Sequence, residues 1–463
     1  MPFIRRGEKE EMKKILVLLL LLVLLGFGAI FVSGNMARDS YMDALRDYSQ
    51  GPLTFANIRY ERGLFVSKAA TRVVLADPKK AEGEEFALIM EHIFRHGPLP
   101  LETGEELRPA LAQAETFLAS AADQPEIFRK ILAEAPALEQ IRAKAWIGLL
   151  GAVDGVMQMP AVAVSDAESG ISFEMEASSV HFLHDRQKGT LTGNLNFPGL
   201  RVQDEHGKSG LSGLSCTFDM QEGLPWVYVG NSTLKLAHLE VAREEKPSVT
   251  LSGLHMTSES GIKFSRLFNV QNATLDSLMV GEKTYGPFFM DMAVRNLDAQ
   301  AMSDLNKRLR DMSEQKEITA EAAQQMGAFA QDFFTKMLAA GPEFQIPRLS
   351  LHTDEGNVEG HLDIRLEGSA AHIVMTPHWL LQRLEARGEI SAQNSLVRHI
   401  VARSLGGGMS EEENATLIDQ AYDAQLGPLL RKNFIVNDGE RIKSRVVLNQ
   451  GRLTVNGKAI PLS

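Results

Sequence analysis

The chain has 463 residues, long enough for two to four domains, and its 44% hydrophobic and 23% charged residues describe a sequence that folds. Its 48 Lys+Arg stand against 59 Asp+Glu, a net charge of −11, which argues against a nucleic-acid binder that needs a basic stripe for phosphate. Cys216 is the sole cysteine, so an intramolecular disulfide and Cys-rich metal or iron–sulfur sites are excluded.

Ile15 to Val32 is an 18-residue run without a charged or polar side chain. As a helix it covers about 27 Å, close to the thickness of the hydrocarbon core. Arg5, Arg6, Lys9, Lys13 and Lys14 precede it, whereas only Arg38 and Arg46 follow closely. The positive-inside rule therefore predicts a cytoplasmic segment 1–14, a transmembrane signal-anchor helix 15–34, and the remainder outside the cytoplasm. Val32-Ser33-Gly34 also offers a cleavage site, so a signal peptide stays open as the alternative. No further apolar run has spanning length, which predicts a single-pass protein.

Residues 35–158 read as a mixed region. Asn35–Gln50 looks helical, with Tyr41, Met42 and Leu45 near one face. Two strand-like runs follow, Leu53–Tyr60 and Gly63–Leu75, and Phe86–Phe94 reads as a strand or a short helix. His96-Gly97-Pro98-Leu99-Pro100 must turn. Leu101–Ala152 is rich in Ala, Leu and Glu and predicts mainly helix, broken at Pro136 and resumed over Ile141–Leu150.

From Met159 the hydrophobic period becomes 2, and 159–463 reads as a β-rich region. Ile171, Phe173 and Met175 alternate with polar residues, as do Val358, Leu362, Ile364 and Leu366. Leu211-Ser212-Gly213-Leu214 is echoed by Leu251-Ser252-Gly253-Leu254, and Thr233–Val241 by Ala273–Val280, a weak repeat of about 40 residues. Helical insertions are expected at 298–340, with Met326, Phe329, Phe333 and Met337 on one stripe, and at 391–431. The fold class expected is α+β but β-rich: a large curved antiparallel sheet with helical insertions, preceded by a single transmembrane helix.

Candidate chemistry is sparse. His181-x-x-His184-Asp185 is the nearest approach to a metal cluster, but i and i+3 on a strand do not share a face. His92 and His96 are four apart, and Gly97-Pro98 ends any helix there. A nucleophile elbow, a phosphate loop, a dinucleotide turn and a zincin helix are all missing, and no cofactor is implied.

Tyr60-x-x-Gly63-Leu64-Phe65-x-Ser67, the turn His96-Gly97-Pro98-Leu99-Pro100, and the closing Asn449-Gln450-Gly451-Arg452-Leu453-Thr454-Val455-Asn456-Gly457-Lys458 give the chain a resemblance to a known group. Behind an N-terminal apolar helix and around a long β-rich body, they resemble the YdgA-like family of bacterial envelope proteins, whose function is unknown. The resemblance implies a single-pass protein of the bacterial inner membrane with its bulk in the periplasm. The family-motif residues Tyr60, Gly63, Phe65, Ser67, His96, Gly97, Pro98 and Pro100 also have a plain physical reading. Gly63 allows a tight turn, Tyr60 and Phe65 pack on the sheet, and Gly97-Pro98 makes a rigid bend. Beyond the bilayer met by residues 15–34, the partner expected is lipid or another envelope protein, with no nucleic acid. Three functions follow: lipid handling on an incompletely covered apolar sheet face, a scaffold acting by protein contact, or a hydrolase with a carboxylate pair. The first is the leading expectation, and it is non-enzymatic.

Overall fold

A computed structural model describes residues 38, 39, 41, 42, 45, 53–75, 86–98, 100, 108–166, 171–244, 246–313, 320–368, 377–404 and 411–461. The expected cytoplasmic segment 1–14 and the expected anchor 15–34 lie outside the described residues. Among those described, no helix is long and apolar enough to cross a membrane. The chain divides into two compact units, Met1–Ser165 with Phe173–Phe197, and Asp166–Ser172 with Pro198–Ser463.

The first unit is an antiparallel meander. In chain order its strands are β1 (Leu53–Glu61), β2 (Val66–Leu75), β3 (Phe86–His96), β4 (Ala112–Leu118), β5 (Arg142–Ile147) and β6 (Val153–Met159). Each pairs with the next. After the short β7 (Val162–Asp166) and β8 (Ile171–Met175), β9 (Ser178–Asp185) pairs with β6, and β10 (Thr190–Asp204) with β9. The helical reading of Leu101–Ala152 is therefore corrected. Ile141–Leu150 forms a strand and its turn, and Phe86–Phe94 is a strand. Among the described residues of this stretch, Glu126–Glu134 is the one α-helix, flanked by two short 3-10 turns. Intrinsic helix propensity is a small term even for alanine, and β5 gains backbone partners on both edges, which outweighs it. Arg142 and Arg108 then lie over the rings of Phe117 and Trp146.

One face of this meander carries the core. Leu88, Met90, His92, Phe94 and His96 share it by the period of 2. Phe128 and Leu132 of the helix Glu126–Glu134 bury one end of the face against Leu118, Leu88 and Met90. Helical Tyr41, with Met42 and Leu45, covers Ala69, Phe94, Tyr60 and Ala114.

The second unit is a sheet of long strands. They are β11 (Gly207–Leu224), β12 (Val227–Arg243), β13 (Lys246–Lys263), β14 (Arg266–Leu275), β15 (Ser277–Val280), β16 (Lys283–Asp298), β17 (Glu343–Thr353), β18 (Gly356–Leu366), β19 (Leu384–Gln393), β20 (Val436–Asn437), β21 (Arg441–Asn449), β22 (Arg452–Val455) and β23 (Lys458–Ile460). β14 and β15 act as one strand interrupted at Asp276, both paired between β13 and β16. The weak repeat falls on matching places. Gly213 and Gly253 sit mid-strand in β11 and β13, both with positive φ (65° and 67°). A Cβ at Gly213 would meet the Cβ of Ala237 at 2.6 Å, and one at Gly253 would meet the Asp276 side chain at 2.0 Å. The repeat thus encodes a local kink on the strands either side of β12.

The register lines up apolar residues on one face. Cys216 pairs with Leu234, Leu234 with Met256, Met256 with Ala273, Ala273 with Met290, Met290 with Leu349, Leu349 with Gly360, and Gly360 with Ile390. A second row runs from Leu275 through Phe288, Leu351, Val358 and Ala392 to Ile442.

The insertion at 298–340 is two helices, Ala299–Ser313 and Ala320–Ala340, and belongs to this unit. Asp298 caps the first, accepting from the backbone N–H of Ala301 at 2.9 Å. Ser303 and Asn306 tether it to the carbonyls of Pro225 and Trp226 in the β11–β12 turn. In the second helix the expected stripe is core. Met337 is buried, and the rings of Phe329 and Phe333 stack 6.3 Å apart, each half-buried. Near the C-terminus, the helices Asn394–Ser404 and Glu411–Arg431 bring Val401 and Tyr422 onto Ile442.

Candidate functional site

The family-motif residues converge at one end of the first unit. Gly63 N–H donates to Ser67 Oγ (3.3 Å), and Ser67 Oγ meets His96 Nε2 at 2.8 Å. The His96 N–H donates to the carbonyl of Phe65 (2.8 Å), which continues the ladder past the end of β2. Gly97 N–H reaches the Leu111 carbonyl and Ala110 N–H the Pro98 carbonyl, so the turn delivers the chain into β4. Both glycines are sterically required. A Cβ at Gly63 would stand 2.0 Å from the Val66 carbonyl oxygen, and one at Gly97 would stand 1.7 Å from that of Ala110. Pro100 is buried. Tyr60 lies deeper on the face, stacked on Phe94 beneath the guanidinium of Arg38, whereas Phe65, expected to pack on the sheet, is exposed at the turn.

A serine and a histidine at 2.8 Å have the geometry of a nucleophile and its base. Two features point elsewhere. Ser67 is fully buried, so an incoming substrate would have no path to its hydroxyl. His96 Nδ1 has no partner among the described residues, so the carboxylate that orients a catalytic imidazole is not in place there. Ser67 accepts from Gly63 and is hydrogen-bonded to His96, and so pins the β1–β2 turn to the end of β3.

Deeper in the face lies a polar chain that the sequence reading missed. Tyr41 OH is 3.4 Å from Asn57 Oδ1 and 2.7 Å from Thr71 Oγ1. Thr71 Oγ1 is 2.7 Å from His92 Nε2, and His92 Nδ1 is 2.8 Å from Thr116 Oγ1. One proton arrangement satisfies every link. Tyr41 donates to Asn57, Thr71 to Tyr41, His92 Nε2–H to Thr71, and Thr116 to His92 Nδ1. The chain joins four strands and the N-terminal helix. Burial pushes the His92 pKa down to about 4, and burial together with Arg62 lowers that of His96, so both imidazoles are neutral at pH 7. The readable signal was alternation: Ser67-x-Ala69-x-Thr71 and His92-x-Phe94-x-His96 are period-2 patterns. The sequence reading set the pair aside because Gly97-Pro98 ends any helix there; on β3 the two share a face.

Gln124 is a second missed residue. Its side chain accepts from Ile89 N–H (2.7 Å) and donates to the carbonyls of Ile89 (2.7 Å) and Ala119 (3.1 Å). β4 begins its pairing with β3 at Met90, so Gln124 replaces the missing strand at Ile89. The Ile89 carbonyl also accepts from Ala119 N–H, so Gln124→Ala should leave the Ile89 N–H and the buried Ala119 carbonyl without this partner and cost about 1–3 kcal/mol. A thermal melt of the purified chain checks this, and an unchanged melt would contradict the role.

The other polar clusters are smaller. His181 pairs with Asp154 (2.9 Å), which also holds Arg108 (2.7 Å). Asp185 instead folds the following turn by accepting from the backbone N–H groups of Gln187 and Lys188. No group of three His, Cys, Asp or Glu suited to a metal occurs among the described residues. In the second unit, Glu355 takes Lys283 (3.0 Å) and lies 3.3 Å from His399, and these contacts hold its carboxyl below the ordinary range. A depression of about 390 Å³ opens over the bulge of β17, lined by Arg348, His352, Glu359, His361 and Glu389 among others. Arg441 neutralises Glu359 at its rim. Cys216 is half-buried in β11.

Residues 12–463 match the model of a family described as a bacterial protein of unknown function (DUF945), and the chain belongs to that family. No curated protein matches it, and no solved structure does.

Proposed function

We propose that the chain is a YdgA-like, single-pass inner-membrane protein, held by residues 15–34 with its bulk in the periplasm, that handles lipid without catalysing a reaction. The observation that carries this reading is the apolar face of the second unit. Its two rows cross many strands, yet most of their side chains are only half-buried. Ile390, at the end of the first row, is 50% exposed, and Val446 is exposed on the same face. Between them, Gly388 pairs with Val446 and Gly360 with Ile390, and Leu362 and Leu349 border the two glycines, so the floor here is apolar. An apolar surface left open beside a bilayer has acyl chains as its available ligand. The scaffold reading uses the same surface for a protein. The hydrolase reading has the weaker support, since Glu359 is engaged by Arg441 and Ser67 is sealed.

Lipid extraction from the purified full chain tests this. Ile390→Asp changes an exposed position, so the fold should hold, while co-purifying phospholipid should fall at least fivefold. A folded variant with undiminished lipid, or a parent chain that carries none, would refute lipid handling; loss of a co-purifying protein instead would favour the scaffold.

A further inference from the structure

The turns of the first unit point their apolar tips the same way. Glu61 pairs with Lys68, the end of β3 meets Phe65, and Ala112 pairs with Ile147, so the 62–65 turn, the 97–111 connection and the 148–152 turn lie at one end of the meander. Val153 pairs with His184, which adds the 186–189 turn to that end. Two of these turns expose large apolar side chains. Leu64 and Phe65 are 46% and 52% exposed, and Leu149 and Leu150 are 52% and 71% exposed. Nothing in strand pairing asks for such residues at a solvent-facing turn, where Gly, Asn, Asp and Ser are the usual choices.

We infer that this end of the first unit inserts its tips into the surface of the bilayer that anchors the chain. The inference rests on the proposed tether. The apolar run ends at Val32, and six residue steps separate it from Arg38, a reach of at most about 20 Å. Arg38 lies over Tyr60, one residue short of the end of β1, and Leu64 follows four residues later. The tether therefore keeps the membrane within reach of this end. The described carboxylates there are engaged: Asp154 with Arg108 and His181, and Asp185 with Lys188. Glu102, Glu105 and Glu106 lie in the sequence of the connecting segment, so it is the apolar tips and the tether, and not net charge, that favour the bilayer. Leu and Phe side chains at turn tips bury in the interface at the level of the headgroups and upper acyl chains.

The test uses the full chain with Cys216→Ser and one new cysteine, Leu64→Cys or Leu150→Cys, labelled with an environment-sensitive fluorophore. Ala122→Cys, exposed in the 3-10 turn that follows β4 at the opposite end of the same unit, is the control. The chains are reconstituted in vesicles of phosphatidylethanolamine and phosphatidylglycerol. Labels at 64 and 150 should shift to the blue and lose more than half their emission when the lipids carry brominated acyl chains, while the label at 122 should do neither. Labels at 64 and 150 that behave like the control would overturn the inference, as would labels shielded from aqueous quencher only in native membranes, which would mark a protein partner. Alkaline washing separates this from the reading beneath it. If the chain resists the wash while the labels stay in water, the tether stands and the inference falls; if the wash releases the chain, the tether itself fails.

Discussion

Gly97→Ala abolishes the folded state of the first unit. The new methyl carbon would sit 1.7 Å from the Ala110 carbonyl oxygen and 2.8 Å from that of Leu111. Both obstacles are backbone, and both belong to the strand edge that Gly97 itself helps to hold through its bond to Leu111. Relief therefore requires moving the start of β4, which pairs with β3 and β5. Moving it breaks ladder bonds on both sides and opens the site of Ala110 and Ala112, which are fully buried. The expected cost exceeds about 4 kcal/mol, in the class of the most damaging single substitutions. Hydrogen exchange of β3 and β4 in the full chain should lose its protection, while the second unit keeps its own. Gly327→Ala is the matched control, since a Cβ there meets nothing within 4 Å and the position is helical. It should be neutral or stabilise by about 0.5–1 kcal/mol. Retained protection in the Gly97 variant would show that the turn yields more easily than its geometry states.

Acid should loosen the first unit well above the range in which carboxylates protonate. His92 is held neutral by burial, with a folded pKa of about 4, whereas an unfolded histidine titrates near 6.5. Above about pH 6.5 neither state takes the proton and stability is complete. Between about 6.5 and 4 the unfolded chain binds a proton that the folded one refuses, so stability falls as pH falls. The full difference approaches roughly 3 kcal/mol by pH 4. A protonated ring would also have to donate from both nitrogens. Thr116 would then have to turn from donor to acceptor, so the chain from Asn57 to Thr116 would lose its arrangement. His96 acts in the same direction, its pKa also being lowered. Urea midpoints of the full chain in detergent, followed through Trp146 in β5, should drop from pH 7.5 to 4.5. In His92→Gln, whose side chain does not titrate, most of that slope should vanish. Equal slopes in the two proteins would assign the acid response to other groups.

The two effects share an origin in how the first unit is assembled. Its core face is made of small residues, Ala69, Ala112 and Ala114 among them, with few large aliphatic side chains. Close backbone approach and a chain of hydrogen bonds then take the place that bulky packing holds elsewhere. Glycines at the turns and a neutral imidazole in the middle become the points of greatest sensitivity.

Local pattern by itself determined much of this protein. Alternation marked the strands at 171–175 and 358–366, because a sheet with one wet face repeats every two residues whatever its partners. The Met/Phe stripe of 320–340 marked a helix for the same kind of reason. The short echo of Leu-Ser-Gly-Leu carried the kinks at Gly213 and Gly253, on the strands either side of β12, although its meaning needed the backbone angles. Pairing decided the rest. Arg142–Ile147 has the composition of a helix and becomes a strand because β4 and β6 flank it. His92 meets Thr71 and Thr116 only because β3 lies between strands 21 and 24 residues away in the chain. Gln124 is an ordinary residue before a proline until β4 stops short of Ile89 and leaves a strand edge to be filled. Periodicity states which face a residue takes, but register states whom it meets, and register is set by contacts between segments far apart in sequence.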